Sequence, residues 1–186
     1  MQQPLDFIQC RDISFFPNYL MDSANRNPHW HDGWEIDAVL EGSVDLIASG
    51  RERKLSAGDV VLFMPDEPHW LRQIREGNRL LSVRIEPGFY QEFYPELNSV
   101  CFSENLVSSV CGEDCLERFL RIMGAAAAFP PKSFGYPIQM IGAVCDLLAW
   151  LLLSVPYRRF TGEEQRANKN KTDRLKRLKR AIESNY

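Results

Sequence analysis

His29, His31 and Glu35 stand two and then four residues apart in the stretch HWHDGWEIDAVLEG. On an extended strand that spacing sends all three side chains out of one face. His69, the third histidine of the chain, follows an apolar run from Val60 to Met64 and a loop bracketed by Pro65 and Pro68. Three imidazoles and one carboxylate suit a single divalent transition metal, Zn, Ni, Mn or Fe, with coordination positions left open for water or a ligand. Without a metal the same residues are ordinary core or rim side chains, and residue types alone leave both readings open.

The elements that must hold these groups read as short strands. Segments 35–40, 44–48, 53–55 and 60–64 are separated by turns around Gly42, Gly50 and Gly58-Asp59, and the hairpin 70–75/79–86 ends at Pro87-Gly88. Strands of this length with turn signals at this spacing predict an antiparallel sandwich or barrel. In the last strand Leu81, Val83 and Ile85 alternate with Leu80, Ser82 and Arg84. The mixed face could line a polar cavity, which makes Ser82 and Arg84 ligand candidates; a solvent-facing role is the alternative and weighs more for Arg84. Leu71 shares parity with His69 and is a pocket candidate, whereas Trp30 and Trp70 fall on the opposite parity and read as packing or interface residues. Residues 1–28, punctuated by Asn and Pro, read as an arm with one or two edge strands.

Beyond Phe102 the apolar period becomes helical. A helix is expected over 113–129, stopped by Pro130-Pro131, and a second over 137–153, opening with Pro137 at its first position. The second is apolar nearly all round, interrupted by Gln139, Gly142 and Asp146. It is short and polar-interrupted for a membrane span, and fits better between its own barrel and a partner subunit. Leu148 and Leu152 are the expected contacts of that homodimer. Polar residues 156–171 read as a linker. Residues 172–186 read as an amphipathic helix with Leu175, Leu178, Ile182 and Tyr186 on one stripe.

The net charge of −3 hides an asymmetry, because residues 166–186 carry +6 and the preceding body −9. An acidic body does not suit a nucleic-acid surface; the basic tail could touch one. The five cysteines are scattered, and the polar start MQQPLDFIQCRD reads without a secretory leader, so a reducing cytoplasm is expected. Cys111 and Cys115 read as core residues one helical turn apart. No phosphate-binding glycine loop, serine nucleophile elbow or Cys-x-x-Cys pair occurs.

The histidine motif resembles that of the cupin superfamily: His29, His31, Glu35 and Gly42 meet the first cupin motif, and Gly58, Pro65 and His69 the second. Glu67-Pro68 replaces the glycine usual before the last histidine. This second-motif form resembles the sensor cupins of arabinose-regulator (AraC) type transcription factors more than metal-enzyme cupins. The phrase Arg-Ala-Ile-Glu-Ser-Asn-Tyr at 180–186 resembles the lead-in to their DNA-binding region. The resemblance implies a mainly β fold with C-terminal helices, that is, a cupin double-stranded β-helix, or jelly-roll barrel, over 1–103 with its arm. A helical dimerisation segment over 104–155, a linker over 156–171 and a truncated start of a helix-turn-helix domain over 172–186 would follow. It further implies a small-molecule effector near His31, Glu35, His69, Leu71, Ser82 and Arg84, a homodimer, and DNA contact only through helix-turn-helix units beyond Tyr186. The alternative is a small metal-dependent cupin enzyme, a dioxygenase or isomerase, using His29, His31, Glu35 and His69.

Overall fold

The computed structural model describes residues 8–10, 13–20, 28–48, 50–73, 77–112, 114–127, 133–164, 166–167, 170, 173–174 and 177. Among the described residues ten strands run in chain order: β1 (Ile8–Cys10), β2 (Ile13–Leu20), β3 (Trp34–Glu41), β4 (Ser43–Ala48), β5 (Arg51–Ser56), β6 (Val60–Phe63), β7 (His69–Gln73), β8 (Arg79–Ile85), β9 (Val100–Phe102) and β10 (Tyr157–Arg159). A five-stranded antiparallel sheet has the order β1-β2-β8-β3-β6, a three-stranded one β5-β4-β7, and β9 pairs with β10. The helices are α1 (Pro87–Tyr90), α2 (Val107–Cys111), α3 (Cys115–Ala127) and α4 (Tyr136–Ser154).

β3 explains the layering. Its even-numbered residues Trp34, Ile36 and Ala38 join Val60, Leu62, Leu81, Val83 and Ile85 in a core completed by Phe119 and Met123 of α3 and by Met140, Val144, Leu147 and Leu151 of α4. Its odd-numbered residues face inward, where Val39 joins Val44, Leu46, Leu55, Val61, Phe63, Leu71 and Leu80 between the two sheets. A strand buried on both faces loses the apolar–polar alternation, which is why 34–40 reads as a nearly continuous apolar run broken by two acids. The turn after β3 needs glycine. Gly42 has φ +81°, and a side chain there would run into Asn78, whose Oδ1 accepts the Ser43 N–H at 2.8 Å.

Several boundaries differ from the sequence expectation. The strand expected to start at Trp70 starts at His69. The helix expected over 113–129 is α3, and a short helix that the periodicity did not announce, α2, precedes it and ends at Gly112, φ +79°. The linker expected from 156 begins as structure: β10 pairs with β9, and the Phe160 N–H reaches the Ser99 carbonyl at 2.7 Å. Thr161 and Glu164 then cap one another, the Thr161 N–H donating to Glu164 Oε2 at 2.8 Å and the Glu164 N–H to Thr161 Oγ1 at 3.3 Å. Residues 162–164, 166–167, 170, 173–174 and 177 are helical. The Leu175, Leu178, Ile182 and Tyr186 stripe, and arm residues 1–7 and 21–27, lie outside the described residues.

α4 also corrects an expectation. Leu148 is 6% exposed, inside the chain's own core, and Leu152 packs partly against it. The open face holds Ile138, Gly142, Cys145, Ala149 and Leu153, with Ile138 72% and Leu153 89% exposed. By length and composition α4 could cross a bilayer, but here one side is packed on the five-stranded sheet.

Candidate metal and effector site

The four motif residues converge. Hydrogen bonds in both directions between the backbones of His29 and His69, 3.1 and 3.0 Å, form an isolated bridge that sets these residues side by side. His31 follows on irregular backbone rather than on a strand, fixed by its carbonyl, which accepts the Asp66 N–H at 2.7 Å. Glu35 enters from β3, where its register partners are Phe63 on β6 and Arg84 on β8. One ligand atom from each of His29, His31, Glu35 and His69 lies within 4.8 Å of the others.

Hydrogen bonds decide which imidazole nitrogens face the centre. His31 Nδ1 donates to the Gly33 carbonyl at 2.9 Å and His69 Nδ1 to the Glu67 carbonyl at 2.8 Å. In the neutral ring each Nε2 then carries the lone pair. His69 Nε2 is buried with no protein partner, and its ring stacks on Phe63 at 4.0 Å. His31 Nε2 lies 2.8 Å from Glu35 Oε2, so a proton or a metal cation has to sit between two atoms that otherwise both present lone pairs. Backbone carbonyls orienting two rings so that their acceptors meet a carboxylate is the arrangement that prepares a metal site. The donor set fits one divalent ion.

Charge at the site is partly balanced by the protein. Arg84 donates to Glu35 Oε2 through Nε at 3.0 Å and Nη2 at 2.7 Å. Burial alone raises the Glu35 pKa, but the hydrogen bond with His31 and the charges of Arg84, His31 and His69 outweigh it and hold the carboxyl well below the usual range. For His69 burial wins. It pushes the imidazole down to about 4 against the opposing pull of Glu35 and the Glu67 carbonyl, leaving a neutral ring at pH 7.

Residues 19–130 match the protein-family model described as the AraC-like ligand binding domain. The chain belongs to this family. A search of curated protein sequences finds no match. Among solved structures, this AraC-like domain is similar to a Cupin 2 conserved barrel domain protein from Salinispora arenicola, with 21% identity over 51% of this chain and 78% of that one and a TM-score of 0.39. An RmlC-like cupin family protein with a double-stranded β-helix fold from Methanocaldococcus jannaschii is 8% identical over 44% and 77%, TM-score 0.39. A conserved protein of unknown function from Streptococcus pyogenes is 19% identical over 42% and 68%, TM-score 0.39. The fold is mainly β, cupin-like, with helices after the sheets, as the resemblance implied.

The other candidates lie on β3, β7 and β8. Ser82 is buried opposite Asp37, and Leu71 lies in the inter-sheet cluster with Phe63. Arg84 does not simply meet solvent; it is half-buried on Glu35. Trp70 points away, its ring 5.6 Å from the Arg72 guanidinium. Trp34 donates to the Tyr90 hydroxyl at 3.2 Å on the helical side. Two residues escaped the sequence reading. Asp37, 1% exposed, shares the inward parity of Glu35, a signal already present in its spacing. Glu67 was read only as a replacement for glycine, and nothing in its local sequence announces its tertiary partners.

Proposed function

We propose that this chain is the ligand-sensing and dimerisation part of an AraC-type transcription regulator acting in the cytoplasm, with DNA reached through helix-turn-helix units that follow it. The observation that carries the reading is the membership of residues 19–130 in the AraC-like ligand-binding family, joined to a polar cluster inside an otherwise apolar barrel. The effector is a small molecule bound near His31, Glu35, His69, Leu71, Ser82 and Arg84. A divalent transition metal, held by His29, His31, Glu35 and His69, would supply an electrophilic anchor for the effector's oxygen or nitrogen atoms. The effector acts by binding one arrangement of the dimer more tightly than another. Residues 1–103 form the sensor and 104–155 the helical segment, and the open face of α4 is where a second copy would dock.

Native mass spectrometry with elemental analysis of the purified chain tests this directly. The expected result is a dimer carrying close to one metal or one small molecule per protomer. A protein that is monomeric at tens of micromolar and binds no ligand in a thermal-shift screen of metabolites with and without Zn, Ni, Mn or Fe would falsify the reading. The donor set of three imidazoles and a carboxylate also supports the second reading, a small metal-dependent cupin enzyme. Metal-dependent turnover by this chain alone would favour it.

A further inference from the structure

The loop 64–68 between β6 and β7 is tied to both sides of the site and to the helical layer. On the site side, the Asp66 N–H donates to the His31 carbonyl at 2.7 Å, and the Glu67 carbonyl accepts from His69 Nδ1 at 2.8 Å. The loop is tight enough to hold Asp66 at φ +62°, a left-handed conformation that a non-glycine residue adopts at a cost. On the far side, Asn105 Nδ2 donates to Glu67 Oε1 and Oε2 at 3.0 and 2.9 Å and to the Leu62 carbonyl at 2.9 Å. The Leu62 N–H returns a bond to the Asn105 carbonyl at 2.8 Å, and Glu67 Oε2 also accepts the Met64 N–H at 3.2 Å.

Asn105 sits at the entrance to the helices. Glu104 Oε1 accepts the Asn105 and Leu106 N–H groups and Arg53 Nη1, Leu106 bridges to Val61, and α2 starts one residue later. From there α2 leads through Gly112 into α3, which packs on α4. One side chain, Glu67, thus joins the residue that orients His69 to the residue that launches α2.

We propose that the Glu67–Asn105 pair couples occupation of the histidine–carboxylate site to the helical layer. The proposal rests on the reading of that site as a metal or effector centre. An ion on His69 Nε2 fixes the ring, and with it the Glu67 carbonyl, the loop, and the Glu67 carboxylate that Asn105 grips. Linkage makes the effect reciprocal: loosening Asn105, which touches no ligand atom, weakens binding at the site. Glu67 and Asn105 are positioning residues in this scheme. Glycine at position 67 would leave Asn105 Nδ2 the Leu62 carbonyl but no tie to the loop that orients His69, so the departure from the cupin pattern is what creates the connection.

The probe is Co(II) alone, with affinity read by calorimetry and by its visible spectrum, alongside hydrogen exchange of segment 103–111 and of the Leu62 amide. In the wild-type protein Co(II) should slow exchange in both places. Asn105→Asp sets two carboxylates face to face and should weaken Co(II) binding by about tenfold or more, the scale for losing a group that orients a metal-bound histidine. The exchange, Glu67→Gln with Asn105→Asp, reverses donor and acceptor between the two side chains but forfeits the bond to the Leu62 carbonyl, so it should recover part of the affinity that Asn105→Asp loses. The wild-type exchange experiment decides even where the single variant fails to fold. Wild-type protein that binds Co(II) with no change at 103–111 and Leu62 overturns the coupling while leaving the site reading intact. So does an Asn105→Asp protein with wild-type affinity, or a swap that recovers the melting temperature without the affinity. Wild-type protein that binds no Co(II) overturns the site reading and the coupling with it.

Discussion

His69 combines burial, a fixed tautomer and a position beside His29, His31 and Glu35, and its acid–base behaviour follows from the first. The folded protein holds it at about 4 against an ordinary 6.5. Above 6.5 the ring is neutral in both folded and unfolded chains, so pH does not discriminate. Between 6.5 and 4 the unfolded chain takes up a proton that the fold refuses, so stability falls as pH falls, by roughly 3 kcal/mol in all. Urea titrations of metal-free protein at pH 7 and 4.5 should show most of that loss, and His69→Gln should flatten it; equal pH sensitivity in both proteins refutes the assignment. Glu35 depends on Arg84 in a comparable way, because its carboxylate is 1% exposed and bound by that guanidinium. Arg84→Met keeps the stem and removes the charge. The expected loss is about 2 kcal/mol, below the usual figure for a broken buried pair because His31 remains beside the carboxylate. Adding Glu35→Gln to Arg84→Met should recover part of that loss, and additive losses in the double mutant cycle would show that the two side chains do not interact energetically.

At the scale of elements, β3 and α4 show what was readable and what was not. The histidine spacing, the glycine at 42 and the strand-sized apolar runs carried enough local information to place the sheets and the site. The inward turn of Glu35 was readable from parity; its bond to Arg84 was not, because it depends on β3 and β8 being neighbours across 49 residues of chain. α4 was read as apolar nearly all round, interrupted by Gln139, Gly142 and Asp146, and so few polar positions give little period from which to choose the buried side. Leu148 turned out to face inward and Ile138, Cys145, Ala149 and Leu153 outward. That assignment separates two substitutions of the same kind. Leu153→Glu should leave the melting curve of the protomer nearly unchanged while shifting sedimentation from dimer to monomer. Leu148→Glu buries an unpaired carboxylate in the core and should destabilise the fold by about 3 kcal/mol or more. Should Leu153→Glu sediment as wild type, the open face of α4 is not the dimer contact.

Over the whole molecule, the question is where the sensing body ends. Composition placed a polar linker from residue 156, since Tyr157–Arg159 is exposed along its length and has no apolar alternation to mark a strand. Its partners decide otherwise. Ser103 N–H reaches the Pro156 carbonyl at 2.9 Å, and Phe160 N–H reaches the Ser99 carbonyl. The Tyr157 and Phe102 rings meet edge to face at 5.9 Å, and the Phe102 ring in turn meets Trp34 at 5.4 Å. Through Trp34, which lies next to Glu35 on β3, ring contacts tie β10 to the strand that carries the site. A chain ended after Thr161 keeps all of these contacts and should melt within a degree or two of the 186-residue chain. One ended after Val155 loses the strand, an aromatic pair worth about 1 kcal/mol and hydrogen bonds of similar net worth. Its melting temperature should fall by roughly 4–8 °C, the shift expected for about 2 kcal/mol in a protein of this size. Calorimetry of the two truncations side by side is the check. Equal melting temperatures would return the boundary to residue 156 and make β10 an ornament of the linker rather than the final strand of the body.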